Sequence, residues 1–153
     1  MNNNAKAAVE SVFPQVLEEL AFLFADPSDM SSVPGAPHDA LKVSMAFSGA
    51  LSGVLDMAVS QGLGSEIAAN LLGVEPEDTQ DSKAAHDALR ELLNVTCGHV
   101  LTTVAGDQAV FDLSIPTVAP IEIAEWKRLA SQSDTAFFSV EGRPVMLRVA
   151  IPA

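Results

Sequence analysis

In the stretch DALRELLNVTCGHV, residues 87–100, a carboxylate and a carboxamide stand three residues apart, Glu91 and Asn94. On a helix that spacing puts the two side chains about 60° apart around the axis, so they project together. Asp87, four residues before Glu91, and Gly98, four residues after Asn94, extend the pair into one stripe. The two do not make a nucleophile with its base, because a carboxamide takes up no proton. An amide does offer a donor and an acceptor, so it can hold a water in a set orientation. A carboxylate can pair with a lysine on a partner molecule. This combination suits positioning a water rather than activating it by proton removal. Positioning is worth most when the electrophile is already reactive and metal-bound, as an acyl phosphate is.

Asn94 and Gly98 are poor helix formers in mid-helix positions where capping cannot explain them. An interior Gly costs about 1 kcal/mol against Ala, and Asn several tenths. Two readings stand. In one, Asn94 bends back to its own backbone and Gly98 marks a close contact inside the protein. In the other, the stripe is a contact face, and Gly98 lets a second surface approach.

Other candidates are weaker. His86 and His99 are thirteen residues apart on the same helix, roughly 140° around its axis, so they cannot share a metal within it. His38 lies in a Pro/Gly-rich loop. All three read as solvent or core histidines, and the sequence offers no metal site. Cys97, the single cysteine, sits among apolar residues and reads as a small hydrophobe. No Gly-x-Ser-x-Gly elbow, phosphate-binding loop or dinucleotide fingerprint occurs.

The helix carrying the stripe is expected over about 82–104, with Asp81 or Ser82 as its cap and Gly106 beyond its end. Ala85, Ala88, Leu89, Leu92, Leu93, Thr96, Val100 and Thr103 form its apolar arc. Before it, SEIAANLLG (65–73) reads as a short helix, capped by Ser65 and closed by Gly73, with Gly62 and Gly64 breaking the chain ahead of it. Residues 5–25 have helical spacing, with Pro14 implying a kink or a late start. Residues 26–39 read as a loop. Residues 41–60 read as two strands joined near Ser48–Gly53. Residues 109–118 read as a strand whose end Pro116 places at a sheet edge or bulge. Residues 120–134 are ambiguous. Residues 135–151 read as a hairpin turning at Glu141-Gly142. The expected fold is α+β, with long helices packed on a mainly antiparallel sheet. A helix precedes a strand-rich segment in each half, which leaves an internal duplication open.

Length and composition fit a single domain over residues 1–153, with the core expected over 41–151. Of the 153 residues, 48% are hydrophobic and 18% charged, which argues against disorder. Eight Lys and Arg against twenty Asp and Glu give a net charge of −12. That charge excludes a basic nucleic-acid footprint and makes an anionic membrane a poor partner. The long uncharged run from Val43 to Leu55 is interrupted by Ser and Gly and too short to span a bilayer, which needs about 18–20 residues. The N-terminus lacks the basic stretch and apolar core of a signal peptide. With no disulfide framework either, the expected location is the cytoplasm.

GLGSEIAANLLG, an acidic gap and DALRELLNVTCGHVLT together resemble the CheC/CheX chemotaxis phosphatases. That family's signature is Glu-x-x-Asn on a long helix, commonly followed by Gly four residues after the Asn. Here it is Glu91-Leu92-Leu93-Asn94 with Gly98. The likeness runs over roughly 41–151, is densest at 62–106, and favours the CheX-like branch. It implies hydrolysis of the aspartyl phosphate of a CheY-type response regulator. Asn94 would orient the attacking water and Glu91 would pair with the regulator's lysine. Asp87 and Gly98 would lie on the docking face. Mg²⁺ would belong to the regulator, leaving this chain no cofactor of its own. The resemblance also implies a homodimer. Two-site members carry a second Glu-x-x-Asn on the first helix. Here Glu18 is followed three residues later by Ala21, and Glu19 by Phe22, so one site per chain is expected and the first helix reads as structural. Two other functions fit the fold: a structural module like the middle domains of flagellar switch proteins, and a module that binds a regulator without catalysis.

Overall fold

A computed structural model describes residues 2–28, 35–79 and 82–152. In chain order it contains α1 (Asn2–Ala21), β1 (Ala25–Ser28), β2 (Ala40–Gly49), β3 (Gly53–Ser60), α2 (Gln61–Leu72) and a 3₁₀ turn (Pro76–Thr79). These are followed by α3 (Ser82–Ala105), β4 (Phe111–Leu113), β5 (Thr117–Pro120), α4 (Ile123–Ala130), β6 (Ala136–Val140) and β7 (Arg143–Ala150). Every strand pairing among the described residues is antiparallel. The sheet order is β1-β6-β7-β3-β2-β4, and β5 also pairs with β2. The fold is the expected α+β arrangement.

Strand alternation sorts the core into two layers. Leu41, Val43, Met45 and Phe47 of β2, Leu55, Met57 and Val59 of β3, and Val145, Leu147 and Val149 of β7 face α1, α2 and α3 in the main core. Ala40, Ala58 and Met146 face the other way and pack on Trp126 and Leu129 of α4. Placing helices on both faces explains why β2, β3 and β7 bury residues from both of their sides.

Several boundaries differ from the sequence expectation. The first helix ends at Ala21, although the helical period continues through Phe24. Phe22 takes φ +57°, and the Asn70 side chain donates to the Ala21 carbonyl at 2.6 Å, ending the helix from outside it. The helix starts at Asn2 and runs through Pro14, so there is no late start. The last residue of the expected helix and the first three of the expected loop, Ala25–Ser28, are the edge strand β1 on β6, where Pro27 is tolerated. Residues 29–34 lie outside the described residues.

Gly62 and Gly64 do not break the chain. They lie in the first turn of α2, whose cap is Ser60 rather than Ser65. The buried Ser60 hydroxyl accepts from Leu63 N at 3.1 Å, and Asp39 Oδ2 accepts from Gly62 N at 3.0 Å. These bonds satisfy two of the free N–H groups at the helix start. Gly73 closes the helix with φ +69°, as expected. Asp81, the alternative cap of α3, lies outside the described residues.

The ambiguous stretch 120–134 contains α4, whose eight residues bury only Trp126 and Leu129. The last hairpin turns at Glu141 and Gly142, with φ +52° and +75°, as a two-residue loop with positive φ at both positions requires.

Candidate functional site

The stripe lies on α3, which spans Ser82–Ala105. The helix buries Ala85, Ala88, Leu89, Leu92, Leu93, Thr96, Cys97, Val100 and Leu101. The expected arc therefore holds except at its last turn, where Thr103 is exposed. Leu101 turns inward there instead, and Cys97 joins the buried face. The buried Thr96 hydroxyl donates to Leu92 O at 2.7 Å. Burial leaves the Cys97 thiol without solvation for its charged form and pushes it up to about 11, which makes it a poor nucleophile.

Asp87, Glu91 and Asn94 are exposed, and Gly98 is half-buried. Their electrostatic situations differ. Asp87 is enclosed by two cations: Lys83 Nζ donates to Oδ2 at 3.0 Å and Arg90 Nη1 to Oδ1 at 2.8 Å. The Lys83 hydrogen bond, helped by Arg90, holds the Asp87 carboxyl below its usual range. Glu91 and Asn94 make no side-chain hydrogen bond or ion pair among the described residues. Asn94 does not bend back to its own backbone. A Cβ built on Gly98 meets nothing within 4 Å, so Gly98 marks no close contact inside the protein either. The internal reading of the stripe therefore has no contact to rest on among the described residues.

Two grooves flank this ridge. One, of about 370 Å³, lies between α2 and α3 and is walled by Ala68, Leu71, Leu72, Lys83, Asp87 and Glu91 among others. The other, of about 360 Å³, is walled by Asp87, Arg90, Glu91 and Asn94 on one side and by Leu113, Ser114, Ile115 and Pro116 on the other. Sequence reasoning missed the second wall: the alternation over Phe111–Ile115 marks a strand, but not that its pairing with β2 brings it beside α3.

That wall is a bulge. Leu113 pairs with Phe47 and Thr117 with Ser44, so four steps on this strand face three on β2. The extra residue splits the expected 109–118 strand into β4 and β5 at Pro116, so the strand resumes where its end was expected.

The histidines do not converge. His38 and His99 are exposed, while His86 Nε2 is buried without a hydrogen-bond partner among the described residues. No group of three His, Cys, Asp or Glu among the described residues is placed to hold a metal ion. No helix among them is long and apolar enough to cross a membrane.

Residues 42–133 match the family model of the chemotaxis phosphatase CheX. The chemotaxis protein CheX of Vibrio vulnificus is similar in structure, with TM-score 0.73 and 18% identity over 99% of each chain. A CheX in complex with CheY, BeF₃ and Mg²⁺ from Borrelia burgdorferi has TM-score 0.70 and 18% identity over 96% of this chain and 97% of that one. FliY of Thermotoga maritima is more distant, with TM-score 0.58 and 14% identity over 94% of this chain and 84% of that one. No curated protein matches in sequence. The family match spans well over half of the chain and contains the whole ridge from Asp87 to Gly98, so the chain belongs to the CheX family of chemotaxis phosphatases.

Proposed function

We propose that this protein accelerates hydrolysis of the aspartyl phosphate of a CheY-type response regulator. The observation that carries the reading is the contrast along the ridge. Asp87 is satisfied by Lys83 and Arg90, whereas Glu91 and Asn94, one and two turns on, are exposed and have no side-chain partner among the described residues. Exposed and unpaired polar groups on a rigid helix are available to a second molecule.

In the mechanism, Glu91 pairs with a lysine beside the regulator's phosphorylated aspartate and fixes the docking. The Asn94 carboxamide then enters the regulator's site. Its oxygen accepts a hydrogen bond from a water, leaving an oxygen lone pair directed at phosphorus. The water attacks in line, the P–O bond to the aspartyl carboxylate breaks, and inorganic phosphate leaves. Mg²⁺ on the regulator neutralises charge on the phosphoryl oxygens, and this chain supplies orientation alone. Gly98 keeps the ridge low where the regulator's surface passes, and Asp87 borders the docking face. A homodimer and a cytoplasmic location belong to the same reading, and light scattering tests the first.

The test is the decay of a phosphorylated CheY-type regulator in Mg²⁺, with and without this protein. Accelerated decay that disappears in Asn94→Ala, with binding retained, is the expected result. Acceleration that survives in Asn94→Ala would overturn the water-positioning role. Binding without any acceleration would leave the docking-module reading. Glu91→Ala is expected to lose affinity, since it removes the ionic anchor.

A further inference from the structure

Ile115 is the most solvent-exposed large apolar residue among those described, at 84%. A lone exposed isoleucine is ordinary; three features set this one apart. First, it is held rather than loose. Ser114 N donates to Ala46 O at 2.9 Å, and Ala46 N donates to Ser114 Oγ at 2.8 Å, pinning the residue before it to β2 on both sides. Pro116 fixes the backbone after it. Second, the bulge is what aims it outward. A regular strand would continue the alternation set by β2, and the extra residue interrupts that. Third, it shares a groove with Glu91 and Asn94, so a molecule that reaches the Asn94 carboxamide from this groove meets the Ile115 wall.

We infer that Ile115, presented by the Ser114–Pro116 bulge, is a specificity-determining contact for the response regulator that enters this groove. The inference rests on the phosphatase reading and extends it. Glu91 and Asn94 meet chemistry common to all phosphorylated receiver domains and cannot tell one from another. Ile115 meets whatever surface flanks that chemistry, and there regulators differ. A rigid apolar prong loses little side-chain freedom on contact and favours an apolar recess over a polar one. Its contribution therefore appears in binding more than in the chemical step.

The experiment uses the full chain and the CheY-type receiver domains of the source genome, each held active with beryllofluoride and Mg²⁺ for binding and phosphorylated for turnover. Ile115→Ser is expected to raise Kd and KM for the preferred regulator at least tenfold, with a much smaller change in kcat and no loss of thermal stability. Ile115→Val is expected to restore most of the affinity. Ser114→Ala, which removes the bond to Ala46 N, is expected to weaken binding in the same direction and to narrow the preference among regulators. Unchanged Kd and KM in Ile115→Ser would overturn the inference. The phosphatase reading would survive that result if the unsubstituted protein still accelerates decay and Asn94→Ala does not. A shift in oligomeric state with unchanged Kd would assign Ile115 to a self-contact and overturn the inference as well. If the unsubstituted protein neither bound nor accelerated any regulator, the phosphatase reading and the inference would fall together.

Discussion

An alanine methyl at Gly98 would meet no atom within 4 Å, so only the helix backbone pays for the glycine. Gly98→Ala is therefore expected to stabilise the fold by about 1 kcal/mol in chemical denaturation. The same methyl would stand on the ridge one turn beyond Asn94, where the proposed regulator surface passes. Stimulated dephosphorylation should fall several-fold in that variant while the denaturation midpoint rises. A midpoint rise with unchanged activity would show that the docking face ends before Gly98. Glu91 and Asn94 were legible in the sequence because helical spacing alone puts them together and family resemblance marks them. Two further facts were not legible. Lys83 and Arg90 satisfy Asp87, which distinguishes it from Glu91 only once side-chain positions are known. Ile115 comes to the site through the sheet, and no local period connects residue 115 with residue 94.

The elements that hold the ridge meet at Gly64. A Cβ there would lie 2.9 Å from Leu89 Cδ1 and 3.2 Å from Ala85 Cβ, so α2 can approach α3 only without a side chain at this position. Gly64→Leu should destabilise by about 1–3 kcal/mol or more through overpacking, read as a lower midpoint in urea. Ser60→Ala should cost about 1 kcal/mol, because the N-cap bond to Leu63 N is lost. A neutral Gly64→Leu would mean that the two helices separate freely. The same contact explains an error of sequence reading. Two glycines so close together look like a chain break, but here Gly64 serves helix packing inside α2 and Ser60 caps ahead of both. The strands β2, β3, β6 and β7 were legible from alternation and from the Glu141-Gly142 turn. The edge strand β1 was hidden by Asp26-Pro27, and α4 by its brevity. Each is stabilised mainly by neighbours distant in sequence, β6 for the first and the sheet's second face for the second.

For the molecule as a whole, one main core joins α1, α2 and α3 to the sheet, and Cys97 lies inside it with 1% exposure. Its thiol ordinarily titrates near 9.0 and is pushed up to about 11 by burial. Below pH 9 the thiol is neutral in both folded and unfolded chains, and its contribution to stability is complete. Between pH 9 and 11 the unfolded chain releases the proton while the folded chain retains it. Ionisation then favours unfolding, and stability falls with rising pH by on the order of 1 kcal/mol per unit. The sequence contains no tyrosine, and every other group is common to the unsubstituted chain and Cys97→Ala, so the difference between the two isolates the thiol. Cys97→Ala should be less stable at pH 7, through a small cavity, and that deficit should narrow as pH rises from 9 toward 11. The check is urea denaturation of both proteins at several pH values. Parallel stability curves would place the thiol in contact with solvent and contradict the packing of α3 against the sheet. A converging pair, with a thiol slow to react with alkylating reagents until the chain unfolds, would show that one face of α3 is locked into the core. The opposite face, carrying Glu91 and Asn94, would then be held rigidly, as a water-positioning helix requires.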